Sequence, residues 1–123
     1  MGYYTNYSME IRSLDGKNLS MEFAEDVLRY LKGIGLVGEC SVFDEGYYLS
    51  RDFLYFYSND AMKWYEYKED MIALSKAFPN AMFMLHGDGE DSIDIWNLYC
   101  LNGKTEFTRA EIPQPKTIPW NRT

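Results

Sequence analysis

The chain has 123 residues, of which 46% are apolar, 25% charged and 17% aromatic, enough for one domain with a hydrophobic core and too short for a multidomain machine. Twelve basic against 19 acidic side chains give a formal net charge of -7, which argues against a sequence-independent grip on DNA or on an anionic membrane. Two cysteines and one histidine cannot complete a zinc pattern, so no metal or other cofactor is expected.

Tyr3 to Ile11 reads as a strand, because Tyr3, Thr5, Tyr7, Met9 and Ile11 alternate with Asn6, Ser8 and Glu10. After the turn chemistry of Leu14-Asp15-Gly16-Lys17-Asn18, Ser20 stands where a helix N-cap belongs, and Ala24, Val27, Leu28, Leu31 and Ile34 with Phe23 form one apolar face. Glu22, Glu25 and Asp26 early in that helix and Arg29 and Lys32 late complement its dipole, with Gly33 or Gly35 as the stop. From Leu36 to Tyr57 at least one strand is expected, interrupted by Asp44-Glu45-Gly46 and Arg51-Asp52.

Met62-Lys63-Trp64-Tyr65 fits a short strand or a first helical turn. The stripe Trp64, Tyr67, Met71, Leu74, Phe78 predicts a helix from about Lys68 to Phe78, ended by Pro79-Asn80. Three strands follow: Ala81 to Leu85, Asp94 to Leu101 and Thr105 to Ile112. The last two are joined by the hairpin signal Asn102-Gly103, the first two by the acidic turn His86-Gly87-Asp88-Gly89-Glu90-Asp91. The expected fold is α+β, two helices on one face of a mostly antiparallel sheet of four to six strands, in ferredoxin-like order with a C-terminal β-meander. Residues 1–112 would form the domain and 113–123, with three of the four prolines, an extended tail.

The chemistry-bearing candidates are few. Asp88, Glu90 and Asp94 could offer carboxylates to a hard cation, but the calcium-loop pattern fails at Ile93 and Tyr99. No nucleophile motif accompanies His86, Cys40 or Cys100, both thiols being expected free and buried, so no catalytic residue is assigned. Tyr7, Tyr55 and Tyr57 could serve as stacking platforms for nucleic acid, but no basic groove accompanies them. Residues 1–61 carry 5 basic and 10 acidic side chains, which concentrates the excess charge in the first half. There Glu22, Glu25, Asp26, Glu39, Asp44 and Glu45, with the tyrosines Tyr47 and Tyr48, form a candidate partner-binding patch. Its acids would imitate a row of phosphates before a basic protein.

The segments Met62-Lys63-Trp64-Tyr65, Glu69-Asp70-Met71, Leu74-Ser75, Phe78-Pro79, His86-Gly87-Asp88-Gly89-Glu90, Asp94-Ile95-Trp96 and Asn102-Gly103-Lys104, with the start Met1-Gly2-Tyr3-Tyr4-Thr5, resemble a group of small α+β proteins encoded by bacteriophages and mobile elements. The resemblance spans residues 62–112 and the first strand, and implies that Met62-Lys63-Trp64-Tyr65 is a strand. It further implies a task of stoichiometric binding to a host protein, such as that of an anti-CRISPR or other anti-defence inhibitor, in the cytoplasm of a bacterial host. The alternatives are a small-molecule or nucleotide-sequestering module and a metal-dependent enzyme centred on His86 and its acidic turn.

Overall fold

A computed structural model describes residues 4–90, 94–111 and 116–119. Tyr3, Asp91, Ile112, Trp120 and most of the expected tail lie outside the described residues. The elements run β1 (Thr5–Ser13), α1 (Met21–Gly33), β2 (Phe43–Leu49), β3 (Leu54–Ser58), α2 (Tyr67–Ala77), β4 (Ala81–Gly89), β5 (Ile95–Leu101) and β6 (Lys104–Arg109). The fold is α+β, with two helices and one open sheet of six strands ordered β2-β3-β1-β4-β5-β6, every neighbouring pair antiparallel. As a whole this is not the ferredoxin-like order expected from the sequence, because β5 and β6 continue the sheet past β4.

Period-two alternation sorts the strand residues between the two faces. Tyr7, Met9 and Ile11 of β1 are buried together with Leu54 and Phe56 of β3, Phe83 and Leu85 of β4, and Trp96, Leu98 and Cys100 of β5. The register puts them on one side, with Met9 opposite both Phe56 and Leu85, and Leu85 opposite Leu98. Both helices cover that side. Ala24, Val27 and Leu31 of α1 and Met71 and Leu74 of α2 are fully buried against it, and Phe78, just past α2, packs edge-on against Phe23 and Tyr30 of α1. Among the described residues no helix lies over the opposite face. One row of residues crosses it from edge to edge: Tyr48, Tyr55, Glu10, Met84, Tyr99 and Glu106.

α1 starts and stops where the charges and caps say. Ser20 Oγ accepts the Phe23 N–H at 3.0 Å, and the helix ends at Gly33. The middle of the chain, where at least one strand is expected, holds two, β2 and β3. Three other expectations change. β4 continues through His86 to Gly89, absorbing most of the expected acidic turn, because nine-residue β1 pairs with it along its whole length, from Thr5 opposite Gly89 to Ser13 opposite Ala81. Met62-Lys63-Trp64-Tyr65 is not a strand. It makes one isolated bridge, Met62 to Thr5, after which Trp64 turns into the core, edge-on to Tyr7 at 5.2 Å and to Phe43 at 6.0 Å. Its indole N–H donates to Asp70 at 2.8 Å. Finally, β6 ends at Arg109 instead of reaching Ile112.

The thiols differ from each other. Cys100 is buried, and burial pushes it up to about 11. Cys40 is exposed, contrary to expectation, and sits at a positive φ of 64° in the loop between α1 and β2, where a turn holds it clear of the core. No helix among the described residues is long and apolar enough to cross a membrane.

Candidate functional site

α1 lies beside the β2 edge of the sheet, and polar contacts tie the two together. The Tyr47 hydroxyl donates to Glu25 at 2.6 Å, and Lys32 Nζ meets Glu45 at 3.1 Å. The Glu25 carboxylate, by accepting this bond, holds the Tyr47 phenol above its ordinary value, since ionising Tyr47 would put two negative charges in contact. Asp26 pairs with Arg29 within the helix at 2.9 Å. Glu22 stands exposed one turn earlier.

β2 is irregular in the middle. Its pairing with β3 shifts between Phe43 and Tyr47, so Asp44, Glu45 and Gly46 bulge out of the ladder and are exposed. The bulge forms one wall of a recess of about 580 Å³, whose other walls are the Gly38-Glu39-Cys40-Ser41 loop and Asn59-Asp60. Asn59 organises it. Its side-chain amide lies 3.0 Å from the carbonyls of Gly38 and Ser41 and 3.3 Å from that of Phe43, lashing the loop to the end of β3. Glu39, Asp44, Glu45 and Asp60 all line the recess, and no lysine or arginine among the described residues does.

Of the expected patch, Glu39, Asp44 and Glu45 therefore come together, and Glu25 joins them through Tyr47 along α1. Asp60 is an addition the sequence reading missed. It follows a strand that could not be placed beside the Glu39 loop without knowing the β2–β3 register. Tyr48 does not belong. Tyr47 lies opposite Phe56 on the helix-covered side, whereas Tyr48 lies opposite Tyr55 on the bare face, where its ring packs 5.8 Å from Phe53. Adjacent strand residues point to opposite faces, so the two tyrosines cannot serve one flat contact.

The weak metal candidates do not converge. Asp88 lies on the bare face opposite Ile95, Glu90 accepts the Tyr4 N–H at 2.9 Å, and Asp94 is paired with Arg109. Among the described residues no group of three or more His, Cys, Asp or Glu is placed to hold a metal ion. His86 is in β4, on the bare face, with Nδ1 2.8 Å from the side-chain oxygen of Asn97. Of the possible stacking residues, Tyr55 and Tyr57 share the bare face with rings 5.2 Å apart, whereas Tyr7 is buried on the other.

A second group of side chains escaped the sequence reading. Tyr7, Trp64, Tyr67 and Trp96 pack into an aromatic cluster at the end of the sheet where β1 begins, Tyr67 and Trp96 being 4.9 Å apart. Trp96 lies so close over Gly87 that a Cβ there would come within 2.2 Å of the indole. Burial raises the phenols of both Tyr7 and Tyr67, and the nearby Asp94 carboxylate raises them further. The signal available in the sequence is the Trp64–Tyr67 spacing, which by itself predicts only a core-facing helix. No family model, curated protein sequence or solved structure matches the chain.

Proposed function

We propose that this chain acts by stoichiometric binding to a basic, nucleic-acid-binding host protein, as an anti-CRISPR or other anti-defence inhibitor of bacteriophage type, in the host cytoplasm. The observation that carries this reading is the acidic recess, where four carboxylates from three chain segments surround one opening with no arginine or lysine among the described residues in its lining. A rim of carboxylates offers the arginines of a nucleic-acid-binding protein the same charge-assisted acceptors that a phosphate row does. Glu22, Glu25 and Asp26 extend the acidic surface along α1, and Glu45 belongs to both parts. The phage-type setting rests on the resemblance of residues 62–112. The ferredoxin-like reading rests on the stretch from β1 to β4, whose strands stand in the order 2-3-1-4 within the larger sheet.

The test is purification of the tagged protein from its host with identification of what binds one-to-one. Reversing Glu39, Asp44 and Asp60 to Lys should abolish capture of a basic partner while leaving the unfolding midpoint in place, since all three side chains are exposed. Association of the wild-type protein should slow as ionic strength rises. Capture that survives the triple reversal would overturn the reading.

A further inference from the structure

The aromatic cluster borders a second cavity, of about 270 Å³, that shares no lining residue with the acidic recess. Its inner walls are closed by ring packing. Tyr7 stands edge-on to Trp64 and Trp96, and Tyr67 lies tilted against Trp96. Its mouth is different. Tyr65 lines the opening with 77% of its surface exposed, and it has no aromatic partner among the described residues. An exposed ring without an aromatic partner, placed at the lip of a cavity, is a stacking surface.

The charges at this mouth run against those of the molecule. Lys63 and Arg109 line it together with a single carboxylate, Asp94. Arg109 is paired with Asp94 yet keeps about half of its side chain in solvent. Lys63 enters no ion pair among the described residues and rests with Nζ 5.0 Å from the Tyr4 ring. In a chain of net charge -7, the opening thus has a local surplus of positive charge. Inside, Thr5, Tyr7 and Tyr67 supply hydroxyls. The two phenols, whose ordinary value of 10.0 keeps them protonated near neutral pH and whose burial raises it further, can donate or accept hydrogen bonds. The volume falls just below the range of drug-sized ligand cavities, which run from about 300 Å³ upward. It suits one heterocycle and not a polymer.

Planar stacking surface, hydroxyls within and cations at the rim together define a planar heterocycle that carries an anion. We propose that this cavity binds a nucleoside monophosphate, with the base against Tyr65, its edge toward the hydroxyls of Tyr7 and Tyr67, and the phosphate on Lys63 and Arg109. The site stands independently of the protein-binding reading given above.

Isothermal titration of the full chain with each ribonucleoside monophosphate, and separately with inorganic phosphate, tests it. One or more of the nucleotides should bind one-to-one and shift the tryptophan emission of Trp64 and Trp96. Tyr65→Ala and Lys63→Gln, both at exposed positions and both expected to keep the wild-type thermal midpoint, should each weaken that binding by about tenfold or more. Absence of binding by every nucleotide, equal affinity for inorganic phosphate, tighter binding of a single-stranded oligonucleotide, or unchanged affinity in both variants would each overturn the proposal.

Discussion

Gly87 shows what one missing side chain does for this fold. The Trp96 indole occupies the space where a Cβ would stand, so a methyl group there must displace a large ring that is wedged between Tyr7, Tyr67 and Phe107. Gly87→Ala is expected to lower stability by about 1–3 kcal/mol, the usual cost of overpacking, measured by urea unfolding. Pairing it with Trp96→Leu should recover part of the loss, since the three atoms nearest the added methyl all belong to that ring. Tyr7 and Tyr67 set a pH limit. Burial raises both phenols above their ordinary value of 10.0. In alkali the unfolded chain therefore ionises first. Their contribution to stability is complete below that value and is lost as pH rises through the folded ones. Tyr7→Phe should flatten this alkaline loss in unfolding midpoints measured across the range, and an unchanged slope would contradict it. At this scale the sequence was only half legible. Parity along β2 already separates Tyr47 from Tyr48, whereas nothing local to Cys40 distinguishes an exposed thiol in a left-handed turn from a buried one.

Among the elements, α1 was readable because every local cue agrees: a side-chain cap, acids early, bases late and an apolar face. Its Ser20 cap satisfies an N–H that would otherwise lack a partner. Ser20→Ala should cost about 1 kcal/mol in thermal or urea unfolding, and Ser20→Asp should remain near wild type. β4 was misread for a physical reason. His86-Gly87-Asp88-Gly89 has the composition of a turn, but nine backbone pairings with β1 outweigh local propensity, and Gly87 is there to make room for Trp96. Met62-Lys63-Trp64-Tyr65 misled in the opposite direction. Its strand-like residues are spent on seating Trp64 between Tyr7 and Phe43, a tertiary contact that no local pattern announces.

Over the whole molecule, the sheet brings together residues that the linear sequence keeps apart. The acidic recess joins Glu39, Asp44, Glu45 and Asp60, and the aromatic cavity joins Thr5, Trp64, Asp94 and Arg109. The excess of acids in the first half of the chain was visible beforehand. That Asp60 would complete their ring, and that Lys63 and Arg109 would reverse the sign of charge nearby, depended on strand order and register. Strand order also has a bearing on the protein's birth. Of the six strands β1 is synthesised first, yet it lies inside the sheet between β3 and β4, and β4 begins only at Ala81. At roughly 5–20 residues per second, synthesis leaves one side of β1 without its partner for on the order of several seconds. Through that interval Tyr7, Met9 and Ile11 belong to a nascent chain that cannot yet close its core, so a strand that finishes inside the sheet, with Met9 and Ile11 fully buried, is exposed to chaperones and to misplaced pairing while it is made.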